Sequence, residues 1–152
     1  MRVFLSLALV ASAFLIAGPA ASQDIKGQGR VIDNVRLWVG HTKVRLCGLA
    51  PAPSGPPRNL MPRGMPPKTL RDLTQHKTVA CVRVGNGTPC DGRMPVVDFG
   101  HVVAQCFVDG VDVASSLICF GNQQPDIMLA GQHYQPYLQG FANARSACNR
   151  LR

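Results

Sequence analysis

Apolar and polar positions alternate in blocks along this chain. Val31, Val35, Leu37, Val39, Val44 and Leu46 place β-prone side chains through Val31 to Leu49, and Gly40-His41 between them predicts the turn of a hairpin. Thr78 to Val84 alternates again, and Val96 to Val108 is a longer apolar run. Gly85-Asn86-Gly87 and Asp91-Gly92 mark turns between these two predicted strands, and Asp109-Gly110 closes the second. Pro67 predicts the opening of a short helix through about Gln75 that buries Leu70 and Leu73. Asp112 predicts the cap of a second helix with Val113, Leu117 and Phe120 on one face and Gly121 as its stop. Asn122 to Gln132 reads as loop. From Pro136 onward, Tyr137, Phe141, Ala144, Cys148 and Leu151 recur at three- and four-residue spacing, which predicts a last helix with one core-packing face.

The predicted order is three strands, a helix, two strands and two helices. Five strands with a helix between the third and fourth is the connectivity of an OB-fold, a small Greek-key barrel. The expected class is therefore α+β and β-rich, with about three helices. Residues 51–67 hold seven of the twelve prolines and read as a loop, because such a run lacks the backbone donors that a sheet requires. No repeat or second domain is evident, so residues 23–152 are expected to form one domain.

Residues 1–22 carry the marks of an export signal: Arg2, an apolar run from Val3 to Ala17, and the small residues Ala20-Ala21-Ser22 at a cleavage site. The apolar run is short of the ~20 residues of a membrane span. All six cysteines, Cys47, Cys81, Cys90, Cys106, Cys119 and Cys148, lie beyond it, and an even number in an exported chain reads as disulfides. A zinc site competes with that reading, but there is no C-x-x-C and the histidines are scattered. The expected location is periplasmic or secreted.

Composition narrows the chemistry. With 46% apolar and 16% charged residues the chain is not a disordered tail. All eight acidic residues are aspartate, which excludes a glutamate base, nucleophile or metal ligand. The net charge of +8 favours anionic partners such as nucleic acid, anionic lipid or acidic polymers.

Several ordered motifs carry a family resemblance. Val31-Ile32-Asp33 matches the opening of V-I-D-G-D-T, Val44-Arg45-Leu46-Cys47-Gly48-Leu49 matches V-R-L-x-G-I, and Phe99-Gly100-His101-Val102-Val103-Ala104 matches Y-G-R-x-V-A. Gly110 to Gly121 fits the family's next helix, and Tyr137 with Ala144-Arg145 echoes Y-x-x-x-E-x-x-A-R. From about Gly27 to Arg145 the chain resembles a staphylococcal-nuclease-like (thermonuclease) domain. The resemblance implies a barrel and a calcium-dependent phosphodiesterase, in which two aspartates hold the cation, a glutamate activates water and two arginines clamp the phosphate.

Position by position, most of that chemistry is missing. One metal aspartate falls on Val35, the second on Ala50 and the base on Pro53, while the Y-G-R arginine is His101. Arg45, the phosphate arginine of the third strand, remains. Asp33 lies beside the former metal position and is expected to cap a turn. No aromatic occupies Gln123 to Asp126, where the family places its nucleotide platform. A degenerate member that needs no metal or cofactor is the expectation.

Arg45 and His101 are the candidate anion-binding residues. Arg45 has an alternative as the partner of a carboxylate such as Asp33, and His101 as a surface imidazole at a strand end. Asp98 and His101, three apart, form a further candidate pair. Arg30, Arg36, Lys43, Arg83 and Arg93 are candidates for a basic rim or a merely solvated surface. Cys81 and Cys106 stand where the family has apolar core positions, and their strands flank the Gly-rich turn, so they are the first disulfide pairing. Cys119 with Cys148 is the second, which leaves Cys47 and Cys90.

Three functional readings follow. The first is an exported, non-catalytic barrel that binds an anionic ligand such as nucleic acid. The second is an envelope protein that binds a protein partner through its proline loop. The third is an active nuclease with a site rebuilt from Asp33, Asp91 or Asp98.

Overall fold

The computed structural model describes residues 25–51, 67–121, 123–138 and 142–151. The expected leader, most of the proline loop with Pro53, and Phe141 lie outside the described residues.

Strand β1 (Ile25–Val31) begins six residues ahead of the predicted strand region. It pairs antiparallel with β2 (Arg36–Val39), which turns at Gly40-His41 into β3 (Thr42–Leu46). Val35 is not a strand residue: it sits in the bend between β1 and β2, yet is buried. The other strands are β4 (Thr78–Arg83), β5 (Val97–Asp98), β6 (His101–Val108) and β7 (Val111–Asp112).

Five of these strands close a barrel. β3, β2, β1, β4 and β6 pair in that order through antiparallel ladders, and β6 returns to β3 in parallel. The two-residue strands β5 and β7 are hairpinned onto β6. The result is a closed, mixed, OB-like barrel of the α+β, β-rich class with short helices. Alternation sets its inside: Leu37, Val39, Val44, Leu46 and Val79 are fully buried, while their sequence neighbours Trp38, Lys43 and Arg45 face outward.

The apolar run from Val96 to Val108 is not one strand. Phe99 and Gly100 both take positive φ, 44° and 75°, and fold it into the β5–β6 hairpin. Two consecutive left-handed residues match the twist of a two-residue hairpin loop.

Helix α1 (Leu70–Thr74) starts three residues after Pro67. The start is set by Thr69, whose side chain accepts from Asp72 N while Asp72 accepts from Thr69 N, a reciprocal cap that overrides the proline signal. Helix α2 (Val113–Phe120) is capped by Asp112 and ends at Gly121 as the sequence predicts, but it is buried on all sides rather than along one face. Its first residues enter the main core, and Cys119 and Phe120 enter a smaller cluster with Cys148 and Leu151.

Two further expectations are corrected. The stretch expected as loop contains α3 (Ile127–Ala130), capped by Asp126. The single last helix is instead a 3-10 turn (Gln135–Tyr137) and a separate helix α4 (Ala144–Asn149). Leu138 adopts an extended conformation, ψ 137°, which ends the first piece.

Three disulfides join these elements. Cys47–Cys90 ties the end of β3 to the loop before β5, Cys81–Cys106 links directly opposed positions of β4 and β6, and Cys119–Cys148 ties α2 to α4. Each such bridge contributes about 2–4 kcal/mol to a small domain. Three of them are the chemistry of an oxidising compartment. No helix among the described residues is long and apolar enough to cross a membrane.

Candidate functional site

The outward alternation of β3 carries Arg45 to the barrel surface, and β6 lies beside it with Val103 in register. On the other edge of β6, the β5–β6 hairpin sets Asp98 opposite His101. Nη1 of Arg45 donates to Oδ2 of Asp98, so the ion pair spans β6. Both side chains are largely covered, at 14% and 19% exposure, which screens the pair less than a surface pair. The carboxylate partner of Arg45 is thus Asp98, not Asp33.

Asp33 is engaged elsewhere. Its Oδ1 accepts from the backbone N–H of Val35 at 3.0 Å and of Arg36 at 2.9 Å, and its Oδ2 accepts from Arg36 Nε at 2.6 Å. Partial burial raises the carboxyl's pKa, but the bonds from Val35 and Arg36 outweigh it and hold the pKa below the usual aspartate value. Asp33 therefore organises the β1–β2 turn.

Val35, Arg36, Arg45, Pro51, Asp98 and Phe99 line a cleft of about 200 Å³. Ala50 follows on from β3, and its N–H donates to the carbonyl of Gln124 at 3.0 Å. His101 does not join Asp98 as a hydrogen-bonded pair. Its Nδ1 lies 2.9 Å from the carbonyl of Phe99, an acceptor only, so Nδ1 carries the proton. Arg45 keeps further N–H groups beside its bond to Asp98, but that carboxylate offsets its charge.

Asp91, the third carboxylate of a rebuilt site, closes a different loop. It accepts from Gly85 N at 2.7 Å, Gly87 N at 2.8 Å and Thr88 Oγ1 at 2.5 Å. Asp33, Asp91 and Asp98 thus each serve a separate local structure, and no three metal-ligating side chains gather among the described residues.

A second feature lies on the outer face of β1, β2 and β3. Register places Arg30 opposite Trp38 and Trp38 opposite Lys43, one row across three strands. The guanidinium carbon of Arg30 lies 5.5 Å and Nζ of Lys43 5.2 Å from the indole centroid. Such contacts contribute about 0.5–1 kcal/mol each at exposed sites. Among the described residues no carboxylate forms an ion pair with either cation. The next row carries Arg36 opposite Arg45.

The basic rim expected from five residues is thus divided. Arg30, Arg36 and Lys43 share this face, Arg83 ends β4, and Arg93 packs beside Gly131. Sequence reasoning did not single out Trp38. The signal for it was its outward place in the alternation of β2, but its partners depend on strand register.

No protein-family model matches the chain, and no curated protein matches it either. Fold and side chains define a disulfide-bonded, OB-like barrel with a basic outer face, and the functional reading rests on them.

Proposed function

We propose that the protein is an exported, non-catalytic module of the staphylococcal-nuclease-like type that binds an anionic ligand such as nucleic acid. The observation that carries this reading is the outer face of β1–β3, where Arg30 and Lys43 flank Trp38 without a carboxylate partner among the described residues. Arg45 lies opposite Arg36 in the next row of this face, and His101 is the second candidate contact for an anion. OB-like barrels commonly offer a charged groove to a nucleic-acid backbone.

The non-catalytic part is supported by the cleft at Arg45. In the positions that the family resemblance assigns to metal and base the chain has Val35, which lines the cleft, Ala50, which directly precedes the cleft residue Pro51, and Pro53. Arg45 itself is bound by Asp98. A missing general base lowers a rate by about 10²–10⁴.

The test is the anisotropy of a fluorescent single-stranded oligonucleotide mixed with the oxidised protein, with calcium or chelator, at low and moderate salt. The expected result is a stable rise that weakens with salt, because phosphate contacts release counterions. A calcium-dependent decay to the signal of short fragments overturns the non-catalytic reading. No change in any condition overturns the binding reading.

A second reading, an envelope module that binds a protein partner, is favoured by one observation. Phe99 is 91% exposed at a strained hairpin tip, next to Val96 and Val97 at 51% and 55%. Clustered exposed apolar side chains are the ordinary mark of a protein contact. Salt-insensitive capture of a partner that is lost in Phe99→Ser would support it.

A further inference from the structure

At the end of the Trp38 row, β1 and the β2–β3 turn meet the stop of α1 around a cleft of about 400 Å³. This is within the ~300–1,000 Å³ range of ligand clefts. Gln28, Gly29 and Arg30 come from β1, Gly40 and His41 from the turn, and Gln75 and His76 from the end of α1. Backbone bonds fix the three walls: Gly29 N donates to Lys77 O at 3.0 Å, Gly40 N to Gln28 O at 3.1 Å, and Gln75 N to Arg71 O at 2.9 Å.

The lining is uniform in one chemical respect. The residues that line it include one arginine, two histidines and two glutamines, each able to donate a hydrogen bond, and no carboxylate residue is among them. That set can donate to the oxygens of a phosphate, and Arg30 supplies a positive charge that no lining carboxylate offsets.

His76 adds an independent observation. It follows the C-cap of α1 with φ 60°, the left-handed position where glycine or asparagine is preferred. Glycine would hold this backbone with less strain than histidine, and strain of this kind clusters at ligand-binding sites. Gln75 Nε2 lies 3.4 Å from His76 Nε2, which holds the two side chains together.

We propose that this cleft is a phosphate-binding site that seats one phosphodiester of a single-stranded nucleic acid lying along the Arg30–Trp38–Lys43 row. The proposal rests on the anionic-ligand reading above and gives that reading a second, distinct contact away from Arg45. Arg30 links the two parts, since it lines the cleft and also covers one side of Trp38. Lys43 continues the positive charge across the indole. A repeating polyanion matches a line of cations, whereas free phosphate fills the cleft alone.

The test follows the imidazole resonances of His41 and His76 and the Arg30 Nε–H resonance in the oxidised full chain. It uses inorganic phosphate, then a single-stranded oligothymidylate, against chloride at equal ionic strength. The expected result is saturable shifts at all three side chains with both ligands, and tighter binding of the oligonucleotide. His76→Gly is expected to melt at the same or a higher temperature, because glycine suits the turn, and to bind the oligonucleotide about tenfold more weakly. His41→Ala is expected to weaken it to a similar degree. Unmoved resonances with both ligands, or parental affinity in His76→Gly, overturn the proposal. If the oligonucleotide binds by anisotropy while the rings stay unmoved, the anionic-ligand reading stands and this site falls. If phosphate moves the rings and the oligonucleotide does not bind, nucleic acid falls as the ligand both of this site and of the proposed function.

Discussion

Arg45 and Asp98, 53 residues apart, are joined by an ion pair that passes across β6, from β3 on one edge to β5 on the other. The pair closes the surface over the parallel seam of the barrel and holds in place the hairpin that carries Phe99. Asp98→Ala leaves a largely covered guanidinium without its carboxylate. The expected loss is about 1–2 kcal/mol, since partial exposure softens the charged-bond value. Urea unfolding measures it. Asp98→Asn also relieves the charge that offsets Arg45, so oligonucleotide affinity is expected to rise. An unchanged affinity in that variant would remove Arg45 from the anion-binding surface.

Asp112 joins the barrel to the helices. Its Oδ1 accepts from Ala114 N at 2.7 Å and Ser115 N at 3.1 Å, and its Oδ2 from Gln105 Nε2 at 2.6 Å and Tyr134 Oη at 3.2 Å. Asp112→Ala is expected to lose about 2–4 kcal/mol, a helix cap together with two partly buried bonds, and Tyr134→Phe about 1 kcal/mol. Thermal or urea unfolding separates the two.

Burial of Tyr134, and next the charge of Asp112, hold its phenol above the ordinary value. A raised folded value means that this contribution to stability is complete below about pH 10, the unfolded value, and is lost as pH rises beyond it. Ultraviolet titration is expected to show Tyr134 un-ionised until the protein unfolds in alkali.

Acid acts through other groups. The hydroxyl of Thr88 and then the backbone N–H of Gly85 hold the carboxyl of Asp91 below its ordinary value, with Gly87 adding to them. Thr69 does the same for Asp72, and at Asp33 the bonds from Val35 and Arg36 overcome the effect of burial. Depressed folded values stabilise above the unfolded carboxyl value, about 3.9, and that contribution is lost as pH falls through the folded ones. The melting temperature is therefore expected to hold down to about pH 4 and to drop below it. Asp91→Asn should lower it at neutral pH and flatten the acid limb.

Gly48 and Gly110 share a left-handed φ, 75° and 79°, but differ in surroundings. A Cβ at Gly48 would lie 2.5 Å from Ala130 Cβ and 2.7 Å from Tyr134 Cε2, whereas at Gly110 it meets nothing within 4 Å. Gly110→Ala is expected to cost about 1 kcal/mol from backbone strain alone. Gly48→Ala adds overpacking and is expected to cost about 2–4 kcal/mol. Equal urea midpoints for the two variants would refute the packing at β3.

Local chemistry was readable in the order of residues. The cap at Asp112, the stop at Gly121, the strand at Thr78 to Val84 and the turn at Gly40-His41 depend on neighbours a few positions away, and the chain states them directly. Reading failed where two local signals competed or one was atypical. Thr69 and Asp72 displaced Pro67 as the start of α1, and Phe99 stood in a turn position that apolar patterning assigns to a strand. The stripe from Tyr137 to Leu151 fits helical spacing, but spacing does not reveal that Leu138 is extended.

What the sequence by itself determined is the alternation that sets Leu37, Val44 and Leu46 inward and Trp38 and Arg45 outward, the six cysteines, and the lack of any glutamate. Only the tertiary structure decided which outward residues meet. The Arg45–Asp98 pair, the Trp38 row and the meeting of His41 and His76 around one cleft all depend on strand register and barrel closure. Periodicity specifies the face on which a side chain lies, whereas its neighbours across the sheet follow from which distant strands pair, and that is fixed by packing the whole core at once.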